Sequence, residues 1–416
     1  MPLLSCSAAL QLIARKIEAL PPAVTAEHVA LADALGRVLA EPITADRDQP
    51  PFPRSTRDGY ALRAADAGTP LRLLGSIRAG EQWMGTPLDQ GEAIEIMTGA
   101  PVPAGADAVV MLEHVTADTD TVALTPGRSV RPCENIVPQG AEARAGDGLL
   151  RAGTRFGPAE IALAASVGAA HVPVFARPAV AILSTGDELV AVDAVPAAMQ
   201  IRNSNAHGLA ALVTAHGGAP HILPIAADTR EALHAAISAA RGAAMLLLSG
   251  GVSAGKYDFV EEALLALGAE FFFTGVAMQP GKPAVFGRIP PQDGYTEQWV
   301  FGLPGNPVST QVTALLFAMP MLRALGGEGL SATGERTAPQ PFFAGATLDE
   351  QVDVRPGLTR FLPALLTSSL SGATVHTTGW QGSGDLNANA RANCYLVVPP
   401  DASRLEPGSL VTVLLR

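Results

Sequence analysis

The sequence predicts a multidomain α/β and β protein, with a central α/β domain whose sheet is mainly parallel. The chain has 416 residues, which is enough for roughly two to four domains. Apolar strands alternate with helical patterns over residues 178–326, the order typical of a parallel sheet covered by helices on both faces. Short alternating stretches between Gly and Pro turns fill 47–146 and 327–416, which indicates an inserted β lobe and a small C-terminal β-barrel-like domain.

The N-terminal region predicts helices. "MPLLSCSAALQLIARKIEAL" lacks the basic start and continuous apolar core of a signal peptide, and its apolar spacing predicts a helix with Ile13 and Ile17 facing inward. "AEHVALADALGRVLAEPI" predicts a second amphipathic helix that ends near Pro42, and "FGPAEIALAASVGAAHVPV" predicts a third. Together they predict a helical linking domain of residues 1–46 and 147–177.

Composition and charge exclude several classes of function. Hydrophobic residues make up 48% of the chain and charged residues only 16%, which favours a compact globular protein. The net charge of −11 and the lack of a Lys/Arg run argue against nucleic acid as a partner. Three cysteines without metal-ligand spacing and eight scattered histidines argue against a zinc site and favour a reducing compartment. Because no segment has about 18 uninterrupted apolar residues, we expect no membrane span and a cytoplasmic protein.

Three polar loops follow strands of the predicted parallel sheet: "STGDEL" (184–189), "SGGVS" (249–253) and "LPGNPVS" (303–309). Ligands of open parallel sheets bind beyond the carboxyl ends of the strands, where these loops are expected to meet. Each loop precedes a helix or a turn and offers backbone N–H groups to an anion. Taken alone, each is equally consistent with an ordinary turn or helix cap. Their convergence on one edge indicates a phosphate site.

Carboxylates accompany these loops at or near the strand ends, at Glu188, Asp228 and Asp258. Mg²⁺ prefers one or two carboxylates together with substrate phosphates, so this set matches its chemistry. The chain lacks a P-loop, a dinucleotide fingerprint and a G-x-S-x-G nucleophile elbow. The residues therefore predict a phosphate-and-magnesium site with an acidic rim.

The loops taken together resemble one family, through "STRDGYA", "IMTGAPVPAGADAVV", "STGDEL", "RNSNAHGL", "SGGVSAGKYDF", "QPGKPAVFG" and "LPGNPVS" in this order. They are similar to those of the molybdopterin molybdenumtransferases, the MoeA and gephyrin E-domain family. The resemblance implies an α/β domain of the molybdopterin-binding type within an elongated homodimer of four-domain subunits. It also implies Mg²⁺-dependent cleavage of adenylylated molybdopterin with insertion of molybdate and release of AMP. Transient contacts with the molybdopterin adenylyltransferase and with molybdoenzyme apoproteins or their chaperones are further expectations.

The resemblance also implies roles for individual residues. The implied catalytic residues are Asp58, Thr98, Glu188, Asp228 and Asp258, with Glu188 and Asp258 as magnesium ligands and with Asp58 and Thr98 presented across the dimer. The implied cradle for the pterin nucleotide and its phosphate comprises Ser249, Gly250, Gly251, Ser253, Pro304, Gly305, Asn306 and Pro307. The implied molybdate residues are Lys282, Ser309, Arg360 and Ser383, which are the cations and donors that an oxyanion needs.

The chain departs from the family pattern at several positions. Arg54 to Arg57 replace the usual Asn-Ser-Ala-Met, Glu142 stands without its usual acidic neighbour, and Lys256 stands where acids are frequent.

Two other functions remain alternatives at this point. One is a related nucleotide enzyme such as the adenylyltransferase, against which the extra β lobe and tail argue. The other is a non-catalytic scaffold of the same fold, which the retained acids disfavour.

Overall fold

The structure is a computed structural model that describes residues 3–22, 25–251, 259–331 and 333–416. The chain forms two compact units. The first unit comprises Met1–Glu41, Ala152–Pro158 and His171–Arg416, and the second comprises Pro42–Arg151 and Ala159–Ala170. The second unit is thus inserted into the sequence of the first.

The second unit contains a six-stranded sheet, which confirms the predicted β lobe. Its strands, in spatial order, are Ala108–Met111, Gly59–Leu62, Glu92–Ile96, Leu71–Ile77, Thr121–Leu124 and Val115–Ala117. Tyr60 and Leu62 belong to one apolar cluster and Ala61 to another, as strand alternation requires. Both faces of this sheet are therefore buried. Smaller pairings join Arg54–Ser55 to Ile136–Val137 and Ile43–Thr44 to Gly148–Leu150.

The first unit contains the predicted central sheet, which has six strands and is mainly parallel. Their spatial order is Ala219–Ile222, Ala179–Ser184, Met245–Ser249, Gln298–Leu303, Val285–Ile289 and Glu270–Phe273. The first four are parallel to their neighbours, and the last two are antiparallel. Ser184 lies opposite Ser249, and Ser249 lies opposite Leu303. The three polar loops thus leave the sheet at one edge.

Helices cover both faces of this central sheet. One face carries Cys6–Glu18, Ser204–Ala215 and the run Pro307–Thr313, Ala314–Ala318 and Met319–Leu325, while the other carries Arg230–Ala239 and Phe259–Ala266. Ile13 and Ile17 are buried, as predicted. Among the described residues, one helix, Pro307–Leu325, has the length and hydropathy of a membrane span, but 89% of its apolar window is buried inside the protein. This helix therefore belongs to the core.

A five-stranded barrel closes the C-terminal region and confirms that prediction. Its strands pair in the cyclic order Thr359–Ser369, Gly372–Thr377, Phe343–Leu348, Leu410–Leu415 and Cys394–Val398, and the last returns to the first. Closure leaves no free sheet edge between these strands. A short helix, Leu386–Arg391, precedes the strand Cys394–Val398. The core beneath the central sheet continues into the barrel through Phe361 and Tyr395.

Two local predictions from the sequence are wrong. The predicted helix over residues 26–43 is instead the strand Ala26–Ala30 and a single turn, Leu31–Asp33, because the strand pairs with His171–Phe175. Leu35, on the predicted apolar stripe, is 61% exposed. The alternating pattern over 178–326 predicts "EFFFTGVAM" as one strand, but it forms two, and only the first, Glu270–Phe273, joins the central sheet. The second, Val276–Gln279, pairs with the barrel strand Thr359–Ser369 and with Leu4–Ser5.

Candidate functional site

A cavity of about 820 Å³ lies at the carboxyl edge of the central sheet. The parallel register brings the three polar loops to its walls. The sequence-predicted residues that line it are Glu188, Asp228, Ser249, Gly250, Gly251, Pro304, Gly305, Asn306 and Pro307. The predicted residues Ser253 and Asp258, together with Lys256, lie outside the described part of the chain. The structure therefore assembles most of the predicted nucleotide cradle around one space.

Backbone conformation and packing require the two glycines of the "SGGVS" loop. Gly250 has φ +96°, and a Cβ there would lie 2.6 Å from the carbonyl oxygen of Thr185. Gly251 has φ +63°, and a Cβ there would lie 2.6 Å from Cγ2 of Val260. Positive φ and this crowding exclude side chains whether or not a ligand is bound. The pair alone therefore does not prove phosphate contact.

Gly305 differs from that pair. Among the described residues, a Cβ at Gly305 would have only the Gly250 Cα within reach, at 3.6 Å, which is ordinary van der Waals contact. Gly305 is exposed and lines the cavity. Its lack of a side chain is thus not demanded by the protein's own packing. The backbone of Gly305 is therefore open to a ligand in the cavity.

Two asparagines organise the junction between the cavity and the helix Ser204–Ala215. Asn203 caps this helix, because its Oδ1 accepts hydrogen bonds from the Ala206 N–H at 3.2 Å and from Ser184 Oγ at 3.1 Å. Asn205 Nδ2 donates to Ser249 Oγ at 2.9 Å and to the Gly305 carbonyl oxygen at 2.7 Å. Sequence reasoning noted "RNSNAHGL" as a motif but assigned neither residue a role. Ser and Asn immediately before a helical pattern were the available signal.

The two described acids of the cavity are held differently. The carboxylate of Glu188 folds back over Gly186, where an added Cβ would lie 2.7 Å from Glu188 Oε2. Asp228 Oδ1 accepts a hydrogen bond from the Thr185 hydroxyl, and the Asp228 N–H donates to Asp187 Oδ1 at 3.3 Å. Within the described residues, no three His, Cys, Asp or Glu side chains cluster as a metal site. Two carboxylates with substrate phosphates are nevertheless a set that Mg²⁺ accepts, so these residues fit that ion.

Arg202 is the only cation among the described residues that line the cavity. It lies on the short strand Ile201–Arg202, which pairs in parallel with Leu189–Val190. Its Nε donates to the Ala194 carbonyl oxygen at 3.1 Å, and the side chain is exposed. Its place on the lining offers an anchored guanidinium to an anionic ligand. Sequence reasoning did not find this residue, because a lone arginine on an unrecognised strand carries no pattern.

None of the four predicted molybdate residues is among the described residues that line the cavity, and Ser383 and Lys282 are next to residues that do. Ser383 Oγ accepts from Asn306 Nδ2 at 2.8 Å, and its carbonyl oxygen accepts from the Val308 N–H at 3.0 Å, so it adjoins the cavity wall. Lys282 is exposed and precedes Pro283, which lines the cavity. Ser309 is 3% exposed, in the first turn of the helix Pro307–Thr313. Arg360 Nε and Nη2 donate to the Arg355 carbonyl oxygen at 3.2 and 2.7 Å.

Asp58 and Thr98 meet in the second unit. The Thr98 N–H and Oγ1 each donate to Asp58 Oδ1 at 2.7 Å. The backbone hydrogen bond, followed by that of the hydroxyl, holds the pKa of Asp58 below its ordinary value. Nearby, Arg54 Nη2 lies 2.7 Å from Glu142 Oε1. The unusual arginine and the solitary glutamate of the sequence thus form an ion pair.

Comparison with known proteins decides the family. The description "MoeA N-terminal region (domain I and II)" matches residues 4–168. "Probable molybdopterin binding domain" matches 181–324, and "MoeA C-terminal region (domain IV)" matches 346–415. The chain belongs to the MoeA family.

Individual MoeA-family relatives cover most of the chain. The molybdopterin molybdenumtransferase of Haemophilus influenzae is 33% identical over 405 residues, which is 96% of each chain. That of Bacillus subtilis is 34% identical over 402 residues, covering 94% of this chain and 89% of the relative. That of Nostoc sp. is 41% identical over 313 residues, covering 72% and 70%.

Solved MoeA structures share the fold. A crystal structure of the molybdopterin biosynthesis MoeA protein from Pyrococcus horikoshii has a TM-score of 0.76 at 27% identity, and it covers 100% of both chains. Another crystal structure of a molybdopterin biosynthesis MoeA protein from Pyrococcus horikoshii has a TM-score of 0.70 at 31% identity and covers 100% of this chain and 99% of the other. These similarities agree with the multidomain architecture described above.

Proposed function

We propose that this MoeA-family protein inserts molybdate into adenylylated molybdopterin, with Mg²⁺-dependent release of AMP. Family membership makes the chain a transferase of molybdenum cofactor biosynthesis. The observation that carries the finer proposal is the cavity at the carboxyl edge of the central sheet, whose described lining has glycine loops, two carboxylates and one guanidinium. Its volume of about 820 Å³ suits a nucleotide-sized ligand.

The described residues divide the work of binding the nucleotide. Gly305 lets the backbone approach the ligand, and Arg202 supplies a charge-assisted donor for a phosphate oxygen. The Thr185 hydroxyl fixes Asp228, and Glu188 lies above Gly186 at the same cavity. Glu188 and Asp258 are the proposed ligands of Mg²⁺, and Asp228 is a further proposed catalytic acid at the cavity. A bound Mg²⁺ would neutralise phosphate charge and favour departure of the AMP group.

The molybdate end of the proposed reaction lies toward the barrel. Ser383 is tied to the loop that carries Asn306, so a donor for molybdate can sit beside the nucleotide cradle. Lys282, Ser309 and Arg360 are the other proposed contacts, and their charges and hydroxyl suit an oxyanion. Asp58 and Thr98 are proposed as catalytic residues that are presented to the site across the homodimer. The homodimer, the cytoplasmic location and the contacts with the adenylyltransferase and molybdoenzyme apoproteins also belong to this proposal.

The proposed function is tested by supplying the purified protein with adenylylated molybdopterin, Mg²⁺ and molybdate. We expect stoichiometric AMP and a product that activates a molybdenum apoenzyme, with both signals lost on chelation of Mg²⁺. The variant Glu188→Gln should reduce AMP release, whereas Glu406→Gln, an exposed acid of the barrel region, should not. AMP release that persists at full rate without Mg²⁺ contradicts the metal-dependent proposal. Absence of turnover with a competent substrate favours a scaffold instead.

A further inference from the structure

We propose that Asn205 is the positioning residue that fixes the spacing of the two glycine loops of the cavity. This inference rests on the proposed function, because the spacing matters through the nucleotide that the loops bind. Asn205 lies one residue into the helix Ser204–Ala215, which Asn203 caps. Its backbone is therefore part of a rigid, capped helix start, and its side chain is presented from that start.

The side-chain amide of Asn205 joins two segments that are far apart in sequence. Nδ2 carries two hydrogens, and its two acceptors are Ser249 Oγ at 2.9 Å and the Gly305 carbonyl oxygen at 2.7 Å. Ser249 ends the strand Met245–Ser249 and precedes Gly250. Gly305 belongs to the loop after Gln298–Leu303, the neighbouring strand in the sheet. One amide group thus sets the position of both loops relative to the same helix.

Apart from the bridge through Asn205, only one hydrogen bond joins these two loops among the described residues. The Gly250 N–H donates to the Leu303 carbonyl oxygen at 3.2 Å, at the ends of the strands. Beyond that point Gly305 faces Gly250 across ordinary contact distance, without a side chain on either. Neither glycine has a side chain that could tie one loop to the other, so the spacing between the loops depends on groups outside them. Asn205 supplies this constraint, and Ser249, which is 2% exposed, anchors it in the core.

The test uses the full-length protein with AMP as the probe, measured by calorimetry, together with amide hydrogen exchange in the ligand-free protein. For Asn205→Ala we expect AMP affinity to fall about tenfold, since two hydrogen bonds to the loops are lost. We expect faster exchange over residues 249–251 and 303–306, and a melting temperature that falls by only a few degrees because the buried Ser249 hydroxyl loses a partner. Asn205→Asp keeps the size but removes both donors, so it should behave like Asn205→Ala or worse.

A matched control is Asn393→Ala in the barrel. Asn393 also makes two hydrogen bonds, to the Leu366 carbonyl oxygen at 2.9 Å and from the Leu366 N–H at 2.7 Å, and it does not line the cavity. Its loss should leave AMP affinity and loop exchange unchanged. In a Ser249→Ala background, Asn205→Ala should have a smaller effect than in the wild type, because one of its two acceptors is already gone.

The outcomes separate this inference from the proposed function. If wild-type protein does not bind AMP but Asn205→Ala speeds loop exchange, the nucleotide proposal fails and the positioning role stands. If affinity falls while exchange in the two loops is unchanged, Asn205 contacts the ligand directly and the positioning role is wrong. If exchange rises and affinity is unchanged, the spacing does not govern binding and the inference is overturned. Equal losses in Asn205→Ala and Asn393→Ala would show a merely structural effect.

Discussion

At the residue scale, the sequence predicted the loops of the cavity better than the residues between them. The glycines and acids were predictable because parallel strands bring consecutive loops to one edge. Arg202 and Asn205 were not, because an isolated polar residue near a strand end has no pattern until the register is known. The structure also changes the meaning of Gly250 and Gly251, since positive φ and crowding already require glycine there. Gly305 is the more informative position.

Gly305→Ala should keep the fold and weaken nucleotide binding. Of the described residues, the new methyl group meets only the Gly250 Cα, at 3.6 Å, so we expect the free energy of unfolding to change by less than about 0.5 kcal/mol. AMP affinity should fall about tenfold or more, because the methyl group occupies the space of the ligand. Calorimetry and thermal unfolding measure the two effects. Gly68→Ala, whose Cβ meets nothing within 4 Å, is the control. Unchanged AMP affinity in Gly305→Ala would show that the ligand keeps away from this backbone.

Arg202→Gln should weaken AMP binding and make that binding less dependent on salt concentration. The guanidinium is the cation of the described lining, and a charge-assisted hydrogen bond contributes about 1.5–3 kcal/mol. We therefore expect about a tenfold or greater loss for AMP and little change for adenosine, which lacks the phosphate. Titrations at low and high salt provide the measurement. Arg404→Gln, an exposed arginine paired with Asp353 at 2.7 Å in the barrel region, is the matched control. An equal loss for adenosine would place Arg202 away from the phosphate.

Thr98→Ala should raise the pKa of Asp58 part of the way toward its ordinary value. The hydroxyl is one of two donors to Asp58 Oδ1, and the backbone N–H remains in the variant. Because the folded pKa is lowered, the contribution of this carboxylate to stability is present above the unfolded pKa and is lost as pH falls through the folded pKa. Carboxyl carbon NMR titration of both proteins measures the shift. An identical pKa in the two would leave the backbone donor as the only cause.

At the scale of elements, the wrong helix over residues 26–43 shows where sequence periodicity fails. Its apolar residues fit a helical stripe, but Ala26–Ala30 pairs with His171–Phe175, more than a hundred residues later in sequence. Long-range pairing overrides helix propensity, which is a weak preference. The helices around the central sheet were predictable, because each lies between strands of one alternating pattern. The split of "EFFFTGVAM" was not, because both halves are equally apolar.

A buried polar network joins two such elements, the helices Pro307–Thr313 and Leu386–Arg391. Asn389 Nδ2 donates to Gln311 Oε1 at 2.8 Å, and the Tyr395 hydroxyl donates to Asn389 Oδ1 at 2.8 Å. Asn389 and Tyr395 are 1% and 0% exposed, and burial raises the pKa of Tyr395 to about 12. The network holds the segment that carries Ser383 next to the loop of Asn306. It thereby links the barrel to the wall of the cavity.

Tyr395→Phe should lower the free energy of unfolding by about 1–3 kcal/mol, since it leaves the buried Asn389 Oδ1 without its donor. Chemical denaturation of the two proteins provides the measurement. Tyr295→Phe is the control, because Tyr295 is 45% exposed and should tolerate the loss of its hydroxyl. A stability equal to that of the wild type would mean that water replaces the hydroxyl in the network.

At the scale of the whole molecule, the insertion of one unit into the other was visible in the sequence as a change of texture. Short alternating stretches and turns begin after the N-terminal region and end before the alternating strands and helices of the central domain. The membership of Val276–Gln279 and Leu4–Ser5 in the barrel sheet was not visible, because two short strands far apart in sequence carry no shared signal. Composition and periodicity alone predicted a phosphate-and-magnesium site. The activity was predicted from the family resemblance.

The pairing of Leu4–Ser5 with Val276–Gln279 also constrains how the protein is made. A ribosome releases the first strand and the apolar face of the helix Cys6–Glu18 long before it synthesises their partners. The inserted unit consists mainly of one continuous stretch, Pro42–Arg151. It can therefore fold during translation, before the partners of the N-terminal helix have been synthesised. That helix therefore spends most of synthesis with Ile13 and Ile17 uncovered. Nascent chains stalled before residue 276 should show a native inserted unit and a protease-sensitive N-terminus.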